Sequence, residues 1–138
     1  MNSSVATPTV RALVDARAQA CPDALYATAT ESGASLRYAE LQASCRRVAA
    51  LLDRLGVGLG DTVSLVMPNG LQTLRVLLGA MYAGRCVNPV NLLSQPDQMR
   101  YVLAHSDCRL VVVAPDWEAR VREMLATLDR PAGDRPRA

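Results

Sequence analysis

The sequence predicts an α/β protein: a partial, doubly wound, mostly parallel sheet flanked by helices, with a short N-terminal antiparallel hairpin. Short apolar runs at residues 62–67, 86–90 and 109–114 show little polar alternation, as expected of strands buried on both faces. Between them, residues 70–83 and 97–105 repeat apolar positions at steps of three and four, which is typical of amphipathic helices. A β-α-β-α-β run of this kind requires parallel pairing through crossover helices.

The N-terminal segment predicts a helix followed by the hairpin. Thr9 can cap a helix that runs to about Ala20, because a threonine hydroxyl accepts a hydrogen bond from a first-turn amide. Residues 24–30 alternate as a strand, residues 31–34 supply a glycine turn, and residues 35–37 can return as the partner strand.

A long helix is expected from Tyr38 to Gly56, since one apolar stripe recurs at helical spacing. The stripe consists of Leu41, Cys45, Val48, Leu52 and Leu55. Gly56, Gly58 and Gly60 then follow a helix and precede a strand, whereas a dinucleotide-binding loop follows a strand and opens a helix. Position 61 is also aspartate, so these glycines predict helix termination and a turn.

The later helices have their own candidate boundaries. Asn69 is a candidate N-cap after the first parallel strand, and the turn lies where open α/β sheets often bind ligands. Pro96 suits the first turn of a helix, where its missing amide proton is not needed. Asp116 can cap a last helix. The apolar face of that helix consists of Trp117, Val121, Met124, Leu125 and Leu128.

The 138 residues suit one domain and no second one. We expect a folded unit at residues 9–129. Residues 1–8 are small and polar and predict a flexible arm. Residues 130–138 contain prolines and arginines without an apolar run and predict a disordered tail.

The charge composition excludes several functions. The net charge is only +2, and aromatic residues are not interleaved with basic ones, so nucleic-acid binding is not expected. All fifteen basic residues are arginine, and the absence of lysine excludes a lysine Schiff base or a phosphate-loop lysine from this chain.

Cysteine spacing and hydropathy bear on metal binding and location. Cys21, Cys45, Cys86 and Cys108 form no C-x-x-C pair, which argues against a zinc site or a redox dithiol. No apolar run approaches the roughly 20 residues that a membrane span needs. We therefore expect free thiols, no membrane span and a cytoplasmic location.

No residue is assigned a catalytic, cofactor-binding or metal-binding role from its chemistry. His105 is the only histidine, but it stands beside Ser106 and Asp107 at a helix end, where polar residues commonly finish a turn. The aspartates mostly mark helix ends and turns, and none belongs to an acidic cluster behind a strand. Arginines such as Arg46 and Arg47 fall on the polar sides of helices and predict a solvated face.

Several segments resemble one known family in order and spacing. LRYAEL at residues 36–41 resembles the L-[ST]-Y-x-E-L motif of the adenylate-forming (AMP-binding) superfamily, which includes acyl-CoA synthetases, peptide-synthetase adenylation domains and luciferases. GDTV at residues 60–63, MPN at residues 67–69 and LGAMYAGRCVNPVN at residues 78–91 resemble the G-D-x-V, P-N and L-x-A-G-x-x-x-x-P segments.

The resemblance continues through residues 95–99 and the strand at residues 109–114, and it covers about residues 10–128. At the Asn88-Pro89 pair the sequence resembles acyl- and aryl-CoA synthetases more than amino-acid adenylation domains. One departure is Arg37, which stands where the family has the Ser or Thr that caps the long helix, so the cap must come from elsewhere; Ser35 is a candidate.

The resemblance implies ATP, Mg²⁺ and CoA as cofactors of a full-length enzyme, which makes an acyl-adenylate and then an acyl-CoA. The chain ends before the family's ATP loop, ribose-binding aspartate, hinge and C-terminal lysine, so no catalytic residue or cofactor is carried over. We therefore expect an N-terminal scaffold fragment, inactive alone, whose partner is the remainder of its own enzyme domain.

Two other functions remain open from the residues alone. The chain could be an interaction module that self-associates as a homo-oligomer through an exposed sheet edge. The same β-α-β-α-β pattern would also permit a flavodoxin-like domain that binds a small ligand.

Overall fold

The computed structural model describes residues 7–128 and Pro136. Most of the predicted arm (residues 1–8) and of the predicted tail (residues 130–138) therefore lies outside the described residues. A 3₁₀ turn, Pro115–Trp117, precedes the last helix. In chain order the helices and strands are α1 (Val10–Ala20), β1 (Leu25–Thr28), β2 (Ser35–Arg37), α2 (Tyr38–Arg54), β3 (Thr62–Val66), α3 (Leu71–Tyr82), β4 (Cys86–Pro89), α4 (Pro96–His105), β5 (Cys108–Val113) and α5 (Glu118–Ala126).

The main sheet has three parallel strands in the order β4-β3-β5. The chain moves from β3 to β4 on one side and returns past β3 to β5 on the other. Right-handed crossovers then put α3 and α4 on opposite faces of the sheet. Val63 and Leu65 accordingly pack with Ala80 of α3, whereas Val66 packs with Met99 of α4. The predicted α/β class and doubly wound sheet are confirmed.

The predicted antiparallel hairpin is also present, although its first strand is shorter than residues 24–30. β1 pairs with β2 as a separate two-stranded sheet, with a register irregularity between Leu25 and Ala27. Gly33 adopts φ +70° in the connecting turn, a left-handed conformation that glycine adopts at little cost. The hairpin lies next to α2, and Leu36 of β2 is fully buried in a cluster with Leu41.

The start of α2 shows that Ser35 is not the missing cap. Backbone carbonyls of the preceding loop satisfy the first-turn amides: Tyr38 N–H donates to Ala24 O at 3.2 Å, and Ala39 N–H donates to Pro22 O at 3.0 Å. These bonds form because the hairpin folds the loop against the helix end. Tertiary contacts therefore replace the side-chain cap.

Half of a capping box remains at this position. The Glu40 carboxylate accepts a hydrogen bond from Arg37 N–H at 2.8 Å, as the family motif would have it. The Arg37 side chain has no acceptor for the helix amides and donates to Asp23 O.

The predicted caps at Asn69 and Asp116 are wrong. Gly70 is the N-cap of α3 and provides no side-chain hydrogen bond, while Thr73 Oγ1 donates to Pro68 O at 2.5 Å. The 3₁₀ turn delays α5 until Glu118, so Asp116 lies before the helix start. Trp117 nevertheless packs against the α4–α5 core as its spacing predicts.

Two other predicted helix starts are confirmed. Thr9 Oγ1 accepts from Ala12 N–H at 3.1 Å, and Pro96 is the first residue of α4. Along residues 7–128, no helix has the length and apolar content that crossing a membrane would require.

Candidate functional site

The first concave region lies at the carboxyl ends of β3 and β5, where open α/β sheets commonly bind ligands. It is a pocket of about 520 Å³ lined by residues 67–73, Val76 and residues 112–115. The first turn of α3 forms one wall, and the turn around Asn69 borders the pocket.

The residues of this strand-end pocket do not fit a magnesium nucleotide. None of its lining side chains is charged, whereas a triphosphate needs cationic partners and Mg²⁺ needs carboxylate or phosphate oxygens. Within residues 7–128, no group of three or more His, Cys, Asp or Glu side chains is placed to hold a metal ion. The strand-end pocket therefore has no cationic side chain for a triphosphate and no carboxylate for its metal ion.

A second concave region, the α2–α3 groove, has a volume of about 600 Å³ and lies between those two helices. Unlike the strand-end pocket, it carries charged groups. Its polar lining residues are Glu40, Ser44, Arg47, Gln72 and Arg75, and its apolar ones are Ala43, Val48, Leu51 and Val76. The sequence pattern did not predict this groove. It indicates only that Arg47 is solvated, and it does not show that Arg75, on another helix, lies nearby.

A polar cluster joins the first three helices on another side of the molecule. The Asp15 carboxylate of α1 accepts hydrogen bonds from Gln42 Nε2 of α2 and Tyr82 OH of α3, each at 2.8 Å. The hydrogen bond from Gln42, with further help from Tyr82 and Arg46, lowers the pKa of Asp15 although partial burial opposes the shift. The cluster holds helices together and contains no nucleophile next to a base.

His105 lies at the exposed C-terminal end of α4, as the sequence predicts. Its Nδ1 is 2.9 Å from Tyr101 O, and its ring stacks on Tyr101 with centroids 3.9 Å apart. The Ser106 hydroxyl donates to Leu103 O at 3.2 Å rather than to the imidazole. The adjacent serine and histidine therefore form no nucleophile–base pair.

The glycine run after α2 is a turn, in agreement with the prediction. Gly56 and Gly60 adopt φ +71° and +77°, and Gly58 N–H donates to Asp61 Oδ2 at 2.7 Å. The Asp61 carboxylate therefore stabilises the turn that directly precedes it.

Comparison with known sequences identifies the family. Residues 14–137 match the family of AMP-binding enzymes. The sulfoacetate–CoA ligase of Cupriavidus necator is 47% identical over 125 residues, which are 89% of this chain and 25% of the ligase. The 4-coumarate–CoA ligase 2 of Oryza sativa subsp. japonica is 30% identical over 108 residues, which are 78% of this chain and 19% of that ligase. The chain thus spans about a quarter or less of the length of these relatives.

Solved structures agree on the fold. The N-terminal domain of FACL13 from Mycobacterium tuberculosis superposes with a TM-score of 0.82 at 21% identity, covering 95% of this chain and 33% of that one. VinN in complex with L-aspartate superposes with a TM-score of 0.80 at 27% identity, covering 94% of this chain and 31% of VinN. The chain belongs to the AMP-binding enzyme family and corresponds to an N-terminal part of its acyl-CoA ligases.

Proposed function

We propose that residues 9–129 form the N-terminal framework of an acid–CoA ligase, which uses ATP and Mg²⁺ to make an acyl-adenylate and then transfers the acyl group to CoA. The observation that carries this proposal is the 47% identity to the sulfoacetate–CoA ligase over 89% of the chain. Sulfoacetate is accordingly the first acid to test as a substrate of the whole enzyme.

We further propose that residues 1–138 have no ligase activity by themselves. The chain contains no lysine, and the strand-end pocket has no charged side chain that could hold a triphosphate. Its role in the enzyme is then structural. The parallel sheet β4-β3-β5 and its helices support elements that the rest of the ligase supplies.

A chimera tests both statements. The 125 matching residues of the C. necator ligase are replaced by those of this chain, and pyrophosphate release is measured with ATP, CoA and sulfoacetate. We expect turnover within about tenfold of the parent ligase, since a framework segment leaves the reacting groups in place. The 138-residue chain alone should release pyrophosphate no faster than buffer.

Two results would contradict the proposal. Turnover by the 138-residue chain alone would show that it carries its own catalytic groups. A folded chimera that binds ATP but forms no adenylate would show that the segment does more than support the enzyme.

We also propose a cytoplasmic location, which the four free cysteines support because disulfides are rare in the cytoplasm.

A second role, homo-oligomerisation, is favoured by the two outer strands of the described parallel sheet, β4 and β5, each paired on one side only. Sedimentation velocity from 5 to 200 μM would test it, and a monomer throughout would exclude this role.

A further inference from the structure

The α2–α3 groove presents two cations on opposite walls. Arg47 extends from α2 and Arg75 from α3, and both line the same groove. Arg47 Nη2 donates to Ser44 Oγ at 3.2 Å, whereas Arg75 makes no hydrogen bond or ion pair with any described residue. Neither guanidinium has a carboxylate partner within residues 7–128. Two like charges in one concavity favour an anionic occupant.

The acidic residue in the lining does not neutralise this pair. Glu40 lies about two turns before Arg47 on α2, which places it towards the N-terminal end of the groove. Its Oε2 accepts the hydrogen bond from Arg37 N–H at the helix start. Two arginines and one glutamate leave the groove lining with a net formal charge of +1.

The groove also has an apolar floor. Val48 and Val76 are half-buried there, and Leu51 is 44% exposed. No aromatic side chain lines the groove on which a nucleotide base could stack. Positive walls over an apolar floor match an amphipathic helix with acidic and apolar side chains on one face.

We propose that an acidic amphipathic helix from the rest of the same ligase docks in the α2–α3 groove. A carboxylate of that helix lies between Arg47 and Arg75, and an apolar side chain covers Leu51. This inference rests on the proposed function, because it requires the larger enzyme of which the C. necator relative is an example. This chain covers only 25% of that relative, which leaves ample polypeptide to supply the helix.

Arginine modification in the full-length enzyme tests the proposal directly. Phenylglyoxal labelling is followed at each arginine by mass spectrometry, and each rate is normalised to the rate for the same residue in urea. Arg100 is the control for Arg47, since both are exposed in the described chain. Arg75 is half-buried, so its rate is compared with that of Arg75 in the 138-residue chain alone. We expect Arg47 to react at least tenfold more slowly than Arg100, and Arg75 to react at least tenfold more slowly in the enzyme than in the chain alone.

Charge reversal gives a second readout on the same enzyme. The double variant Arg47→Glu/Arg75→Glu should lower the unfolding midpoint and expose Leu51, which we would detect as faster hydrogen exchange in α2. Arg100→Glu should change neither quantity. The neutral variant Arg47→Gln/Arg75→Gln should fall between them, because it removes attraction without adding repulsion.

The outcomes separate this inference from the proposed function. Equal labelling of Arg47 and Arg100, and of Arg75 in the enzyme and in the chain alone, would overturn the docking helix; if that enzyme still makes acyl-CoA, the ligase function stays intact. Protection that appears only at concentrations where the enzyme dimerises would assign the groove to a second copy, which also overturns it. Protected arginines in an enzyme without ligase activity would contradict the proposed function alone.

Discussion

Arg85 and Asp53 form an ion pair of 2.6 Å between Nη2 and Oδ1, yet the two side chains differ sharply in exposure. The Arg85 side chain is 6% exposed and that of Asp53 is 67% exposed. Arg85 Nε also donates to Val57 O at 3.2 Å, and Nη1 donates to Ala83 O. One guanidinium thus joins the ends of α2 and α3 to the turn before β3, mainly through buried carbonyls.

Replacing Arg85 should cost far more stability than replacing its ionic partner. Arg85→Ala leaves the carbonyls of Val57 and Ala83 without this donor, and we expect a loss of about 2–3 kcal/mol in the free energy of unfolding. Asp53→Ala should cost less, because the guanidinium keeps its contacts with the Val57 and Ala83 carbonyls although the buried cation loses its counter-ion. Urea unfolding measures both. Equal losses would mean that the ion pair, rather than the carbonyl contacts, carries the stabilisation.

The crossing of α2 and α3 depends on Gly79. A Cβ built at this position would lie 2.6 Å from Val48 Cβ, so Gly79→Ala forces the helices apart. We expect a net loss of about 1–3 kcal/mol despite alanine's better helix propensity. Val48→Gly in the same background should recover part of it, because it removes the Cβ that the new methyl group meets. A double-mutant cycle from urea unfolding checks this, and additive losses would refute the steric explanation.

The four cysteines should differ in reactivity. Burial raises the pKa of the Cys45 thiol to about 11, so at pH 8 only about one molecule in a thousand carries the thiolate. Cys108 is also buried, whereas Cys86 is exposed. Ellman's reagent should therefore label Cys86 in a fast phase and leave Cys45 and Cys108 unlabelled until urea is added. Cys86→Ser should abolish the fast phase and leave a slower one from the half-buried Cys21. Persistence of the fast phase would contradict the described burial.

Asp15 should make part of the stability depend on pH. Its pKa is lowered in the folded state, chiefly by the Gln42 hydrogen bond, so the unfolded chain takes up the proton more readily. The stabilisation is present above the unfolded pKa of about 3.9 and is lost as the pH falls through the lower folded pKa. Thermal unfolding at pH 6 and pH 3 should show wild type and Asp15→Asn converging at the lower pH. A difference that stays constant would exclude this linkage.

Local patterns predicted most element positions, and they failed where tertiary contacts replaced local ones. The apolar stripe through Leu41 and Leu52 identified α2, since neighbours three and four positions apart share a helix face. Ser35, Asn69 and Asp116 were predicted as caps, but loop carbonyls, a glycine and a 3₁₀ turn occupy those helix starts. A cap depends on how the preceding loop folds back, which short-range spacing does not encode.

By itself, the sequence determined the α/β class, the succession of helices and strands, and the resemblance to adenylate-forming enzymes, because these follow from periodicity and motif order along the chain. The tertiary structure alone decided that Arg85 is buried and that Arg47 and Arg75 share a groove. Arg47 lies on α2 and Arg75 on α3, and only the packing of these two helices brings the two arginines together. Side-chain burial and charge pairing depend on such distant neighbours, so they could be determined only from the folded chain.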